Sequence, residues 1–554
     1  MSADPITTEV VRDGLNAAAN QMKRALVRTA FSPVIYEVLD FAVAIYDDQM
    51  RLLAQAPSLP MFMGRLSFCV EAAVEAVGGR EALAPGDVLL YNDPFGTGSH
   101  PQDAAMVMPV FLEGRLIGHA AIKAHWLDIG GKEPYSTDTV DVFQEGTIFP
   151  GVKLYRAGEL VDDVFRMVLA NSRVPKMVAG DVNAEVVGVR TGARALVALV
   201  ERHGLETFRE CVERIFDHGE AVVRSYFERI PDGVYRAPGM LDDDGLSDEP
   251  VPFEIAVVVD GSSVTIDFTG APPQTPGPVN CALPKTVAVS RIAIGTLAGR
   301  GDPPNDGHFR PIRVLTTPGS LFHPKRPAPT FIGGWASFQA LETVYRAVSA
   351  AVPELVPAGS GGDICSLVWW GVREDSGEPW ADGSPHPVGQ GASATGDGTS
   401  ALMHVSESAT RVTPAEVWES RNPWLVEAVE LIPDSCGAGR HRGGLGVRYA
   451  FRALEEMWLT AVIERTRSAP WAARGGREGR SNRAALVLSD GSRRALAKAT
   501  RVRVPPDARV VLETGGGGGF GPPTERDPAV VRADVREGYV SREHARAHYP
   551  HAFG

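Results

Sequence analysis

The sequence predicts an α+β fold: a mixed, multi-sheet chain of several subdomains. Three observations carry that reading. Runs with two-residue apolar alternation mix irregularly with runs at three- and four-residue spacing, without strict βαβ alternation. Hairpin signals recur, as in the DG turn of "FEIAVVVDGSSVTIDFTG". The chain of 554 residues, 44% hydrophobic, can bury several cores, and its length alone suggests two to four domains.

In order along the chain, Val10, Val11, Leu15, Ala18, Met22, Leu26 and Val27 predict an amphipathic helix from Thr8 to about Arg28. "LDFAVAIYDDQMRLLAQA" reads as a hairpin turning at Asp47–Asp48. "SFCVEAAVEAVGG" is a short helix stopped by Gly78–Gly79, and "GDVLLYND" is a strand. Strands over Met106–Leu112 and Leu116–His125 join across Glu113–Gly114, with His119, Ala121, Lys123 and His125 on one face of the second. From Gly158 to Glu228 the pattern is helical. The acidic "LDDDGLSDEP" reads as a surface connection, and "FQALETVYRAVSAAVPEL" as a helix. A Gly-, Arg- and Val-rich β section spans about Glu427 to Leu512, and a helical tail closes the chain. The expected divisions are 1–235, 236–425, 426–521 and 522–554.

Composition excludes several classes. A net charge of −13 and the lack of a basic, aromatic-interleaved stripe argue against nucleic-acid binding. Five scattered cysteines, none in a CxxC pair, rule out a cysteine zinc cluster and argue against a disulfide framework. No basic-then-apolar leader opens "MSADPITTEVVRDG", and the most apolar later window carries Arg291, so no membrane span is expected and a reducing, cytoplasmic setting is the default.

The chemistry concentrates in "YNDPFGTGSHPQD" and "AHWLDIGG". His100 and Asp103 lie three residues apart, so one tight turn presents both to a common point. His125 and Asp40 sit at or near strand ends, which are stiff supports. Two imidazoles and two carboxylates suit a divalent ion with an open position for water. The plainer alternative is that HxxD arises by chance and that Gly-flanked His and Asp cap turns or satisfy buried carbonyls. Elsewhere, "ETGGGGGFGPP" lacks the Lys-Ser/Thr of a phosphate loop and reads as a tight backbone crossing. "CGAGRHRGGLG" fails GxGxxG and reads as a solvated turn, and "HARAH" as surface helix.

Taken together, "LDFAVAIYD", "YNDPFGTGSHPQDAAMVMPVF", "AHWLDIGG", "DFTGAPPQTPGPVN", "DSCGAGRHRGGLGV" and "GGGGGFGPP" make the sequence resemble the hydantoinase B/oxoprolinase family along nearly its whole length. The resemblance implies a hydantoinase B-like fold and a metal centre on Asp40, His100, Asp103 and His125, with zinc the first expectation and manganese or iron the others. It also suggests that Asp128 orients a ligand or takes a proton from the metal-bound water. It implies a hetero-oligomer with an alpha-type, hydantoinase A-like partner that binds ATP and phosphorylates a small cyclic amide. This chain then delivers metal-bound water to the activated carbon. The rival expectations are a subunit of an acetone- or acetophenone-type ketone carboxylase, and an assembly subunit with a degenerate metal site. Two departures from the family pattern, Phe62 in "PMFMG" and Trp126 in "AHWLD", replace histidines with bulky apolar groups and suggest a substrate with an aromatic or aliphatic part.

Overall fold

The first helix, Pro5–Thr29, begins three residues before the apolar periodicity does, because Asp4 caps it and Pro5 supplies a preset first turn. The computed structural model describes residues 4–62, 64–297 and 303–553. Its fold is the expected mixed α+β architecture, with four sheets among these residues.

The largest sheet holds seven antiparallel strands: β1 (Phe41–Asp47), β2 (Leu52–Gln55), β3 (Val88–Tyr91), β4 (Asp103–Leu112), β5 (Arg115–His125), β6 (Pro150–Arg156) and β7 (Glu159–Leu160). Their spatial order is β2-β1-β5-β4-β3-β6-β7, so β5 lies among strands on both sides. Alternation divides β5 between two cores. Ala120, Ile122 and Ala124 join the core that also holds Leu15, Met22, Val189 and Phe216 from three long helices, Pro5–Thr29, Pro175–His203 and Leu205–Phe227. Ala121 faces the other way, into a smaller core with Cys69, Val70 and Ala73 from the helix Leu66–Ala76. Both faces of the strand are thereby covered, which leaves no solvated side for the polar residues it carries.

A second sheet (Gly233–Leu241, Val251–Asp260, Ser263–Asp267, Ile312–Leu315) packs with the helices Leu283–Leu297 and Gly333–Val348. A third joins Ser366–Val372 and Pro379–Ser384 to Met457–Val462 and Lys498–Val504, drawing strands from both sides of position 425. The fourth holds Trp424–Leu431, Val447–Ala453, Arg483–Val487, Arg493–Leu496 and Arg509–Glu513, and it shares one core with the third. Two short helices, Pro528–Arg536 and Arg542–His548, close the chain against Cys436, Ala438 and Leu445. All five cysteines are buried free thiols. No helix among the described residues is long and apolar enough to cross a membrane.

The glycine run Gly515–Gly519 threads between segments at 359–361, 389–392, 435–444 and 471–480, hydrogen-bonding backbone to backbone. A Cβ on Gly517 would stand 1.9 Å from the carbonyl oxygen of Gln390, a separation only glycine permits.

Two surface expectations are corrected. In "LDDDGLSDEP", Asp242, Asp243 and Asp244 are buried, because Asp242 accepts from the amide and hydroxyl of Thr466 and Asp243 pairs with Lys498 at 3.3 Å. Arg442 is not solvated either: its guanidinium is buried against Asp534 at 3.2 Å.

Candidate metal centre

In the loop from Tyr91 to Asp103, several residues are fixed by specific contacts. Asn92 is fully buried and staples the loop, donating to the carbonyls of Pro101 and Thr147 and accepting from the Phe149 amide. Asp93 caps the one-turn helix Pro94–Thr97, and Gly98 ends it at φ +71°, where a Cβ would meet the Lys285 amide at 2.6 Å. The chain thus turns sharply and delivers His100 to the start of β4.

Sheet register then assembles the rest. Asp103 on β4 pairs directly with His125 on β5, and the amide of His125 donates to the carbonyl of Asp40 at the foot of β1. Asp40, His125 and Asp103 therefore lie in one row across three adjacent strands. His100 Nε2 and His125 Nδ1 each approach Asp103 Oδ1 at 3.3 Å, and the three donor atoms lie within 4.8 Å of one another. Separations of 3.3 Å match the edge of a tetrahedron around an ion with ligands at about 2.0–2.1 Å, and two imidazoles with one carboxylate are a donor set that suits zinc and similar cations. His100 Nδ1 is buried and has no hydrogen-bond partner among the described residues. The residues fit a divalent cation.

The electrostatics are arranged around Asp103. Its Oδ2 accepts from Lys123 at 2.8 Å and from Arg65 at 3.4 Å, leaving Oδ1 to face the histidines. Lys123 and Arg65 also lie over the Phe62 ring, at 3.8 and 4.4 Å from its centroid. Burial works to raise the Asp103 pKa, but Lys123 and the histidines overcome it and hold the carboxylate well below its usual range. Burial pushes His100 down to about 4, so its imidazole is neutral at pH 7. Burial also acts to lower His125, yet the Asp103 hydrogen bond and the Asp40 charge win and raise it. Asp40 is half-buried, and desolvation raises its pKa.

These groups open into a cavity of about 110 Å³, well above the roughly 10–15 Å³ needed to hold one water. Asp40, His100, Asp103, His125, Lys285 and Glu407 form its polar end. The remainder is largely apolar, including Met61, Phe62, Tyr135, Phe331, Trp335 and Phe338. The Tyr135 and Phe331 rings meet His100 edge-on at 5.7 and 5.2 Å. Burial holds the Lys285 pKa down to about 7 and lifts that of Glu407.

Of the residues singled out by sequence, His100, Asp103 and His125 converge. Asp40 lines the same cavity, although its carboxylate is not part of the triplet. Asp128 is not brought to them: its oxygens accept from the Arg173 guanidinium and amide, both at 2.5 Å, and from the Gly130 amide at 3.3 Å. Phe62 lines the cavity as its bulk suggests. Trp126 does not; it packs in the helical core and donates to Glu185 at 2.6 Å, so it carries nothing about substrate shape. Sequence reading passed over Lys123, although its two-residue spacing from His125 was a usable signal. Arg65, Lys285, Glu407 and the aromatic wall gave none, because they come from distant segments.

Comparisons with known proteins agree with this architecture. Residues 4–523 match the family model described as Hydantoinase B/oxoprolinase. The putative B-type component of a D-/L-hydantoinase from Pseudomonas sp. (strain NS671) is 30% identical, over 99% of this chain and 95% of its own. The beta component of the caprolactamase of Pseudomonas jessenii is also 30% identical, over 99% and 96%. The crystal structure of ATP-dependent caprolactamase from that organism superposes with a TM-score of 0.90 at 29% identity, covering 99% of this chain and 96% of that one. A nucleotide-free acetone carboxylase chain shares the fold at a TM-score of 0.89 and 18% identity, over 99% and 79%. The chain belongs to the hydantoinase B/oxoprolinase family.

Proposed function

We propose that this chain is the metal-bearing, beta-type subunit of an ATP-dependent cyclic amide hydrolase, with Asp40, His100, Asp103 and His125 holding a divalent ion, zinc first. The observation that carries the reading is the convergence of His100, Asp103 and His125 at the polar end of an otherwise apolar cavity. Relatives named as components of a hydantoinase and of a caprolactamase support a cyclic amide substrate and an alpha-type partner that activates it with ATP.

The partner transfers the γ-phosphoryl group of ATP to the amide oxygen, releasing ADP. A first water adds to the activated carbon, the ring C–N bond breaks, and the nitrogen leaves as an amine with a proton. A second water cleaves the resulting acyl phosphate to carboxylate and phosphate. An ion bound here supplies Lewis acidity and makes a coordinated water acidic near neutral pH.

The chain's own residues do the rest. Lys123 and Arg65 fix Asp103 so that one oxygen is presented, and Asp103 orients both imidazoles. His100 offers a neutral nitrogen at pH 7. Glu407, whose buried carboxyl holds its proton more tightly than usual, can give a proton to the departing nitrogen. The aromatic wall keeps bulk water from the activated carbon.

The test is elemental analysis of wild type, His100→Ala and Asp103→Asn, then turnover of a hydantoin and lactam panel with the partner and ATP. About one ion per wild-type chain is expected, with loss of metal and turnover in both variants. Stoichiometric metal in both variants would overturn the ligand set. Turnover of a ketone that requires bicarbonate would replace the hydrolase reading with the carboxylase one.

A further inference from the structure

Three cations stand near the candidate centre, and two are engaged. Arg65 and Lys123 both donate to Asp103 Oδ2. Lys285 is different. It is 5% exposed, it lines the same cavity, and its ammonium makes no hydrogen bond or ion pair among the described residues. Glu407 lies on the cavity wall too, and the two charges act on each other without a hydrogen bond or ion pair between them among the described residues. A buried lysine amine that donates no hydrogen bond is a costly arrangement, and an anion arriving in the cavity would relieve it.

The surroundings keep the ammonium in place. Gly98 lies against the Lys285 backbone, where a Cβ would come within 2.6 Å of the amide. Gly334, in the helix Gly333–Val348, faces the other end: a Cβ there would meet Lys285 Nζ at 3.0 Å and nothing else within 4 Å. Glycines at both positions leave the side chain room to extend into the cavity.

We propose that Lys285 is the anion-binding group of the cavity and takes the phosphoryl oxygens of the activated substrate. The assignment rests on the hydrolase reading for the source of its ligand. A lysine ammonium binds phosphate as a point charge and tolerates the changing shape of the rest of the molecule. In the same cavity as the imidazoles, it holds the phosphoryl group while the reacting carbon faces the His100–Asp103–His125 triplet. It continues to hold that group after the C–N bond breaks, so the acyl phosphate stays for the second water.

The test is calorimetric titration of inorganic phosphate, and separately of acetate, into the purified full chain with and without zinc. Wild type, Lys285→Gln and Gly334→Ala are compared. Phosphate affinity falls at least tenfold in Lys285→Gln and several-fold in Gly334→Ala, which keeps the lysine but crowds its ammonium. Zinc content stays at the wild-type level in both. Unchanged phosphate affinity in both variants overturns the proposal. Acetate binding as tight as phosphate, and equally dependent on Lys285, overturns the phosphoryl assignment in favour of a carboxylate. If wild type takes up no zinc yet binds phosphate through Lys285, the metal reading fails and the anion site stands.

Discussion

Replacing Gly517 with alanine tests the glycine crossing on which the C-terminal half is hung. The new Cβ would lie 1.9 Å from the oxygen and 2.2 Å from the carbon of the Gln390 carbonyl, and 2.7 Å from the Gly391 nitrogen. Ordinary carbon–oxygen contacts begin near ~3.3 Å, so one backbone must retreat by more than ~1 Å. No side chain can absorb that movement. Gly517 donates to the Gly444 carbonyl at 2.9 Å and accepts from the Gly437 amide at 2.8 Å, and retreat breaks both bonds inside the protein. Two orphaned buried groups at about 1–3 kcal/mol each, with about 1–3 kcal/mol of overpacking, sum to roughly 3–9 kcal/mol. That is a large share of a typical stability of about 5–15 kcal/mol. Gly295→Ala is the matched control: in the helix Leu283–Leu297 a Cβ meets nothing within 4 Å, and alanine should stabilise by about 0.5–1 kcal/mol. Urea midpoints read by tryptophan fluorescence, with soluble yield alongside, should move in opposite directions. A Gly517→Ala midpoint equal to wild type would refute the reasoning.

Other outcomes follow from the candidate centre. Zinc uptake must strip the proton from His125, whose pKa is raised, so at pH 6 about one proton is released per ion; release dwindles as pH climbs past the His125 pKa and is absent in His125→Ala. In the metal-free chain the sign reverses: the stability His125 contributes is present below its ordinary value of 6.5 and is lost as pH rises through the raised value, whereas that from Asp103 is present above 3.8 and is lost as pH falls through the depressed one. Lys123→Met leaves the buried Oδ2 of Asp103 with only the longer Arg65 contact and should cost about 3–5 kcal/mol in denaturant titration; a change below ~1 kcal/mol would mean the pair is not buried as described. Asp128→Asn should keep full metal content and turn over within a few-fold of wild type, because its oxygens serve Arg173 and Gly130; a hundred-fold loss with metal retained would restore a proton-transfer role.

Local pattern carried much of the fold. The hairpins at 41–55 and 251–267 and the β4–β5 pair follow from alternation and turn residues, and those strands bring Asp103 opposite His125. His100 was legible because a loop so dense in glycine and polar residues has to hold something in place. Asp128 was misleading: it follows His125 by three residues, but the chain turns through Gly130 and sends the carboxylate to Arg173. The buried acidic stretch at 242–244 could not be read at all, since the partners that bury it, Thr466 and Lys498, lie more than two hundred positions away. Lys285 and Glu407 were hidden for the same reason.

The cavity is lined from distant parts of the chain. Its candidate ligands all come from the first 125 residues, whereas Phe331, Trp335, Phe338 and Ile364 arrive from a different sheet and helix pair. A fragment ending near residue 235 would keep His100, Asp103 and His125 but lose the aromatic wall from residues 331–338. Substitutions at positions 331–410 can therefore reshape the cavity while the row of Asp40, His125 and Asp103 is left alone, so the shape of the space and the donor set can change separately.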